Sequence, residues 1–408
     1  MYDFENIAPY QVLKCKRGED HLSVQKQGHN LQQFKVGGPY YYGNDQTKPF
    51  YVGEIWVLAG EGNMQGLGYR TEPFTMKTLQ QPVNHDKAFL YDSSEHWTFD
   101  GFTGKFSEAL KFRGASLAPA FVNKFGEKHN GVPIGLIPCA QENSSLIDWE
   151  AVCEDPDMSL YNAMLDKTKK AGGDITGVLW YQGESDALDS TRAENYGESF
   201  QNWMSRLRQD LDQPELPIVF VQLGSHQFVS PEVKENWKKI QAAQFEMFGQ
   251  SSYTAGVASV DAGLDSSCNL SASGLSLVGR RLALAADKAM KGKGASATPL
   301  PSYAFRQKFS QYYGLEHEEV MSVVINFKFL NSPWKLEPGQ PVVGFSYDKS
   351  EIPILKAFVE DPKTGSVRLY LPEVVDGPLT INYGMQPGLA NLINKDEEAL
   401  PVFRDFQV

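Results

Sequence analysis

Between residues 51 and 290, short apolar runs alternate with amphipathic stretches. "EIWVLAG", "VPIGLIPCA", "ITGVLWYQG", "PIVFVQLG" and "YTAGVASVD" are apolar almost without interruption and too short for ordinary helices. That is the pattern of strands buried on both faces. Helical spacing fills the gaps. In "AENYGESFQNWMSRLRQDL", Tyr196, Phe200, Trp203, Met204 and Leu207 share one stripe, as do Val233, Trp237, Ile240 and Phe248 in "PEVKENWKKIQAAQFEMF". Strand and helix in alternation predict an α/β fold, a mostly parallel sheet sandwiched by helices, over residues 51–290. Residues 1–50 are polar and rich in Gln, Gly and Tyr, with short alternations such as "YQVLKCK" that suit an N-terminal β-rich accessory region. "KGKGASATPLPS", 291–302, reads as a linker. Beyond it, residues 303–408 hold period-2 runs such as "VMSVVINFKFL", "VRLYLPE" and "LTINYG", which predict a C-terminal β domain, a small sandwich.

Composition narrows the partners. The chain has 408 residues, enough for two or three packed units, and its 50 acidic residues outnumber 38 scattered basic ones. Nucleic acid is therefore not an expected partner, and a neutral substrate fits better. Cys15, Cys139, Cys153 and Cys268 are too dispersed for a disulfide framework and lack zinc-ligand spacing, so buried free thiols, no metal and no cofactor are expected. No run approaches the roughly 18 apolar residues of a membrane span. The opening "MYDFENIAPYQ" has neither a basic nor an apolar leader region. A cytoplasmic location is expected, a trimmed export signal being left open.

Ligands of open parallel α/β sheets bind where the strand-to-helix loops meet, at the carboxyl ends of the strands. Four loops qualify: "GEGNMQG" (60–66), "AQENSS" (140–145), "YQGESDA" (181–187) and "DAGLDSSCNLSASG" (261–274). At these loops the chain resembles the SGNH/GDSL hydrolase superfamily, in its sialate O-acetylesterase and acetylxylan-esterase-like branch. "VLAGEGNMQG" resembles that branch's GQSNM(E/A)G block, and "GVPIGLIPCAQENSSLIDW" its VPVGLIPCxxGGTSxxxW block. "GVLWYQGESDA" matches the QGESD block almost letter for letter, and "LSASGLSLVGRRLALAA" resembles the segment after the D-x-x-H block. The resemblance implies an SGNH-hydrolase-like fold and, in the family, a serine that attacks the ester carbonyl while a histidine, oriented by an aspartate, takes its proton.

Carried over residue by residue, that triad is missing. Gly62 stands at the serine, Asn269 at the histidine and Ser266 at the aspartate, with Asp265 one position away. Glycine has nothing to acylate, and asparagine shuttles no proton near neutrality. Asn63, Gln182 and Gly183 match family positions around the oxyanion, and Glu184 and Asp186 are retained. Glu142 and Asn143 replace a glycine pair there, and Glu61 replaces the glutamine before the serine. A carboxylate beside a developing oxyanion opposes acyl transfer.

Two gained carboxylates suggest a different sugar chemistry. An acid and a nucleophile or base flanking a glycosidic bond would make Glu61 and Glu142 the catalytic pair of a glycoside hydrolase or transglycosylase acting on an oligosaccharide, a β-glucooligosaccharide for instance. Asn63, Asn143, Gln182, Glu184, Asp186, Trp149 and Asn269 are then the substrate-binding candidates, and Trp97, Trp180 and Tyr181 are further rings in or beside the loops. Two alternatives stay open. One is an inactive, carbohydrate-binding descendant; the other is an O-acetylesterase with a substitute nucleophile such as Ser144 or Ser145, or less plainly Cys268. His96 and His226 are the histidines nearest in sequence to such a cleft.

Overall fold

A computed structural model of the chain describes all residues except 1, 4, 5, 17, 26–30, 43, 44, 73, 100–111, 152–158, 228, 229, 310–319, 338, 348–351, 387 and 389. The five apolar runs become β1 (Asp45–Gly60), β4 (Ile134–Pro138), β5 (Gly177–Tyr181), β6 (Ile218–Gln222) and β7 (Thr254–Ala258), and two strands not anticipated, β2 (Ala88–Tyr91) and β3 (Trp97–Thr98), extend the sheet. The order across it is β7-β6-β5-β1-β4-β2-β3, parallel throughout except for β3. Successive strands step to one side of β1 and then, from β5 onwards, to the other. The switch point therefore lies beside β1, where the ends of β4, β1 and β5 open a crevice.

Helices cover both faces, and the strand register shows why. Trp56 of β1 lies level with Gly177 of β5, so Trp180, three residues further, projects to the opposite face. Trp56 packs on Phe121 and Phe125 of α2 (Ala118–Lys128), each at 5.7 Å between centroids. Trp180 packs on Phe200 at 5.2 Å and Trp203 at 4.3 Å, both on α4 (Ser190–Asp210). Gly279 lets α6 (Ala272–Met290) approach α2 closely: a Cβ there would stand 2.4 Å from the Leu117 carbonyl. Helices α3 (Leu160–Ala171) and α5 (Pro231–Glu246) complete the cover, and a four-residue helix α1 (Gly62–Gln65) leaves β1 directly.

The N-terminal region contributes strands at Val12–Lys14 and Gly37–Tyr42 that pair with the first half of β1, and a three-stranded sheet of its own. The stretch read as a linker is structured. It contains a single turn, Gly294–Ser296, a buried Thr298 bonded to the Gly256 carbonyl, and the start of the strand Leu300–Phe309. The C-terminal region forms two four-stranded antiparallel sheets around a second core that includes Met321, Val323, Tyr347, Leu369 and Tyr383. It docks beneath the end of β6 and the loop after β7. Gln222 exchanges two hydrogen bonds with the Val402 backbone, Arg281 bridges Asp261 and the Glu397 carbonyl, and Val260 belongs to the C-terminal core. Cys15, Cys139 and Cys268 are free thiols, Cys15 buried and the other two half-buried. Cys153 lies outside the described residues.

Candidate functional site

The crevice begins at Gly60. Its φ is +128°, and a Cβ on it would sit 2.1 Å from the Tyr181 carbonyl, so only glycine lets β1 close against β5 and turn into α1. Glu61 is the residue before the helix, and Gly66, in the left-handed region at φ 94°, ends it. Loops from β4, β5 and β7 then meet α1 in two tiers.

The lower tier is a buried polar network. Glu61 Oε1 accepts from the Gly183 and Ser185 N–H groups at 3.0 and 3.1 Å and from Gln182 Nε2 at 3.1 Å, while Oε2 accepts from the Ser185 hydroxyl at 2.5 Å. Gln182 Nε2 also reaches the Ser144 carbonyl at 3.1 Å and Asp186, whose carboxylate takes the Leu146 N–H. Asn63 joins three loops: its Nδ2 donates to Glu184 Oε1 at 2.8 Å and the Cys268 carbonyl at 3.0 Å, and its Oδ1 accepts from Leu270 N at 2.8 Å. Burial raises all three carboxyl groups. Asp186 is pushed up to about 6, and Glu184 furthest, by burial and then by the neighbouring Glu61 charge. More donors are aimed at Glu61 than at Glu184, which favours the charge on Glu61 over that on Glu184.

The upper tier surrounds the buried Gly62 in the crevice at the strand ends, with Glu142 exposed and Asn269 half-buried beside it. A Cβ added to Gly62 would meet the Leu67 side chain at 3.1 Å, Asn269 Oδ1 at 3.7 Å and Glu142 Cγ at 3.8 Å. A serine side chain would therefore fit here with a small shift of Leu67, beside an amide and a carboxylate. Asn269 is held by hydrogen bonds of its backbone to Ser266 Oγ and the Asp265 N–H, and Asp265 itself anchors the Tyr69 N–H at 2.9 Å. Gln65, which sequence reading passed over, matters to the cleft. Its Oε1 accepts the Glu142 N–H at 2.6 Å, so the amide at a position the resemblance places around the oxyanion is already engaged. An amide one helical turn from the nucleophile position was the available signal.

The site residues named from sequence thus separate. Glu61, Asn63, Gln182, Glu184 and Asp186 lie together in the lower tier, while Glu142 and Asn269 flank Gly62 in the upper one and Asn143 is exposed at a positive φ of 58°. Glu61 and Glu142 do not face one another across a ligand: Glu61 is 3% exposed and turned into the loop after β5, and Glu142 is at the surface. Trp149 is core, its Nε1 bonded to Ser144 Oγ, and so are Trp180 and Tyr181. The substitute nucleophiles are occupied too. Ser144 donates to the Gln141 carbonyl, Ser145 forms a capping box with Asp148, and burial holds the Cys268 thiol up at about 11. Among the described histidines, His21, His85 and His129 are held by Asp20, the Val132 carbonyl and Asp287; His226 packs on Trp237, and His96 is exposed in the turn before β3. Among the described residues no group of three or more His, Cys, Asp or Glu is arranged to hold a metal ion, and no helix is long and apolar enough to cross a membrane.

Residues 52–288, which span β1 to α6, match the carbohydrate esterase, sialic acid-specific acetylesterase family. The chain belongs to this family. A probable carbohydrate esterase of Arabidopsis thaliana is 32% identical to it over 209 residues, covering 46% of this chain and 77% of that one. The crystal structure of a carbohydrate acetylesterase from Xanthomonas citri shares the fold with a TM-score of 0.67 at 20% identity, over 98% of both chains. Membership in a carbohydrate esterase family overturns the glycoside hydrolase and transglycosylase reading. The chemistry for which this architecture is built is that of sugar esters, and the new glutamates are not a glycosidic acid and nucleophile. Their placement agrees, since one carboxylate is enclosed in a loop-bracing network and cannot flank a bond with the other.

Proposed function

We propose that the cleft over Gly62 binds an O-acylated carbohydrate and that the chain does not cleave it by the serine route. One observation carries this reading: the place of the nucleophile is filled by glycine, and what faces it is the Asn269 amide and Glu142. Asn63, Gln182 and Gly183 stand at positions that the resemblance places around the oxyanion, and Asn63 and Gln182 are held by the network beneath the cleft. Among the described residues the cleft lacks both the serine oxygen that would be acylated and the histidine that would activate it. The test pairs binding with turnover. Titrating acetylated and deacetylated xylo-oligosaccharides into labelled protein should give NMR shifts for the acetylated form only, with acetate release no faster than in a protein-free control. Equal binding of both forms, or saturable acetate release, would contradict it.

A second reading rests on Glu142. Its methylene approaches the vacant Cβ position to 3.8 Å, so its carboxylate can serve as general base to a water seated in the serine's place. Direct hydrolysis without an acyl-enzyme would follow. In that case acetate release is slow, shows no burst, and falls by about a hundredfold in Glu142→Gln, of the order of an acid/base contribution.

A further inference from the structure

A second concave surface lies away from the cleft, at the β2–β3 edge of the sheet. Tyr10, Tyr51, Phe89, Trp97, Thr98 and Phe99 line a cavity of about 460 Å³, within the size range of small-molecule sites. Phe89 is level with Gly135 and hence with Ile55, five residues before Gly60 and two strands away from β1. At about 3.3 Å per residue and 4.8 Å per strand, that places it roughly 19 Å from Gly60, with Gly62 two residues further on. We propose that this surface is a second saccharide-binding site, for a neutral oligosaccharide chain, independent of the cleft.

Three features argue for that ligand. The rings form one cluster around the buried Phe89: Tyr51 lies 4.3 Å from it, Tyr10 stacks on it at 6.2 Å and 26°, and Phe99 adds its ring at 6.3 Å. Its outer members are presented to solvent, Tyr10 at 39% and Phe99 at 53% exposure, where large aromatics stay uncovered only at an energetic cost. Secondly, polar groups are set among the ring faces. Among the described residues the lining holds two phenols, a threonine and an indole but no Lys, Arg, Asp or Glu. Such a surface suits a ligand whose apolar C–H faces alternate with hydroxyls, as pyranoses do, and disfavours anionic ligands. Thirdly, Trp97 is 5% exposed, and its Nε1 has no hydrogen-bond partner among the described residues, a donor that a hydroxyl takes up only when the indole ring tilts toward the cavity. Tyr10 is also held at a φ of 62°, unusual for a bulky residue, by its N–H bond to the Pro49 carbonyl at 2.6 Å.

The ligand class is shared with the cleft, but the residues are not, so the two readings fail separately. Native gels cast with soluble xylan, mixed-linkage β-glucan or galactomannan measure retardation of the full chain. The wild type should be retarded by at least one polymer. A Tyr10→Ala, Phe99→Ala double variant, which alters only exposed rings, should lose affinity at least fivefold with an unchanged circular dichroism spectrum. Trp97→Phe, which keeps the packing and deletes the N–H, should weaken binding too, and Gly62→Leu, which fills the cleft, should leave retardation as it was. Absence of wild-type retardation in all three gels overturns the proposal, as does retardation that survives the double substitution. So does a concentration-dependent dimer, seen by sedimentation and abolished by the double variant, with retardation unaffected; the cluster would then meet a second copy of the chain.

Discussion

Replacing Glu61 separates bracing from chemistry. Glu61→Ala removes the acceptor of two buried backbone N–H groups, those of Gly183 and Ser185, along with that of the Ser185 hydroxyl. At about 1–3 kcal/mol for each stranded backbone donor, the loss is about 2–6 kcal/mol, before any cavity term. Glu61→Gln keeps the Oε1 position with its three donors, and the new amide can donate to Ser185 Oγ or to Glu184. It also removes a buried charge beside Glu184. The balance should lie within about 1 kcal/mol of the wild type. The pH dependence should differ as well. Glu61, Glu184 and Asp186 all have folded-state pKa values above the ordinary carboxylate range, so the folded chain binds more protons than the unfolded one between the two values. Stability from these groups is thus greatest in acid and falls as pH rises through the folded pKa. For Asp186, moved from 3.8 to about 6, the penalty complete by pH 7 is about 3 kcal/mol at most. Urea unfolding read by tryptophan fluorescence reports mainly the α/β core, which holds six of the seven tryptophans. Between pH 5 and pH 7.5 the wild type should lose stability from this network, and Glu61→Gln should lose less. If Glu61→Gln proves as damaging as Glu61→Ala, the buried carboxylate is not interchangeable with an amide, and the bracing role is wrong.

Restoring the missing groups should behave cooperatively. Gly62→Ser alone should leave p-nitrophenyl acetate turnover at background, whereas Gly62→Ser with Ser266→Asp and Asn269→His should yield measurable, serine-inhibitor-sensitive hydrolysis; activity in the single variant would show a base overlooked at the cleft. Adding Gln65→Ala to the triple variant should raise that rate further by freeing the Glu142 N–H, and a drop would deny the amide any oxyanion role. Gly60→Ala should cost well over 2 kcal/mol or prevent soluble expression, because its Cβ would meet the Tyr181 carbonyl at 2.1 Å; a normal unfolding midpoint would refute the close approach.

The strands of the sheet were legible because both faces are covered, which leaves an uninterrupted apolar run in the sequence. β2 and β3 escaped for the converse reason. They are only four and two residues long, at the edge, and "AFLY" resembles any apolar fragment. The four loops converged as the sheet rule required, yet sequence could not tell a side chain aimed into the cleft from one turned beneath it. Glu61 shows the difficulty. It is a charged residue beside the nucleophile position, and charged residues are seldom fully buried, so a cleft-facing acid was the natural expectation. The N–H groups of the loop after β5, brought to it only by folding, draw it inwards. The same limit applies to Trp149, whose ring sits beside a catalytic-type loop in sequence and in the core in space. Gln65 was illegible because its role depends on contact with a residue 77 positions away.

The central claim, an ester-shaped cleft without a nucleophile, is tested most directly by one NMR time course. Wild-type protein is mixed with an acetylated xylo-oligosaccharide, and ligand line-broadening and free acetate are followed in the same tube. Broadening is expected to titrate with protein, to be lost in Gly62→Leu, and to be accompanied by no acetate beyond the protein-free rate. Acetate appearing in catalytic amounts, with a burst equal to the protein concentration, would contradict the claim, for it would reveal an acyl-enzyme that Gly62 cannot form.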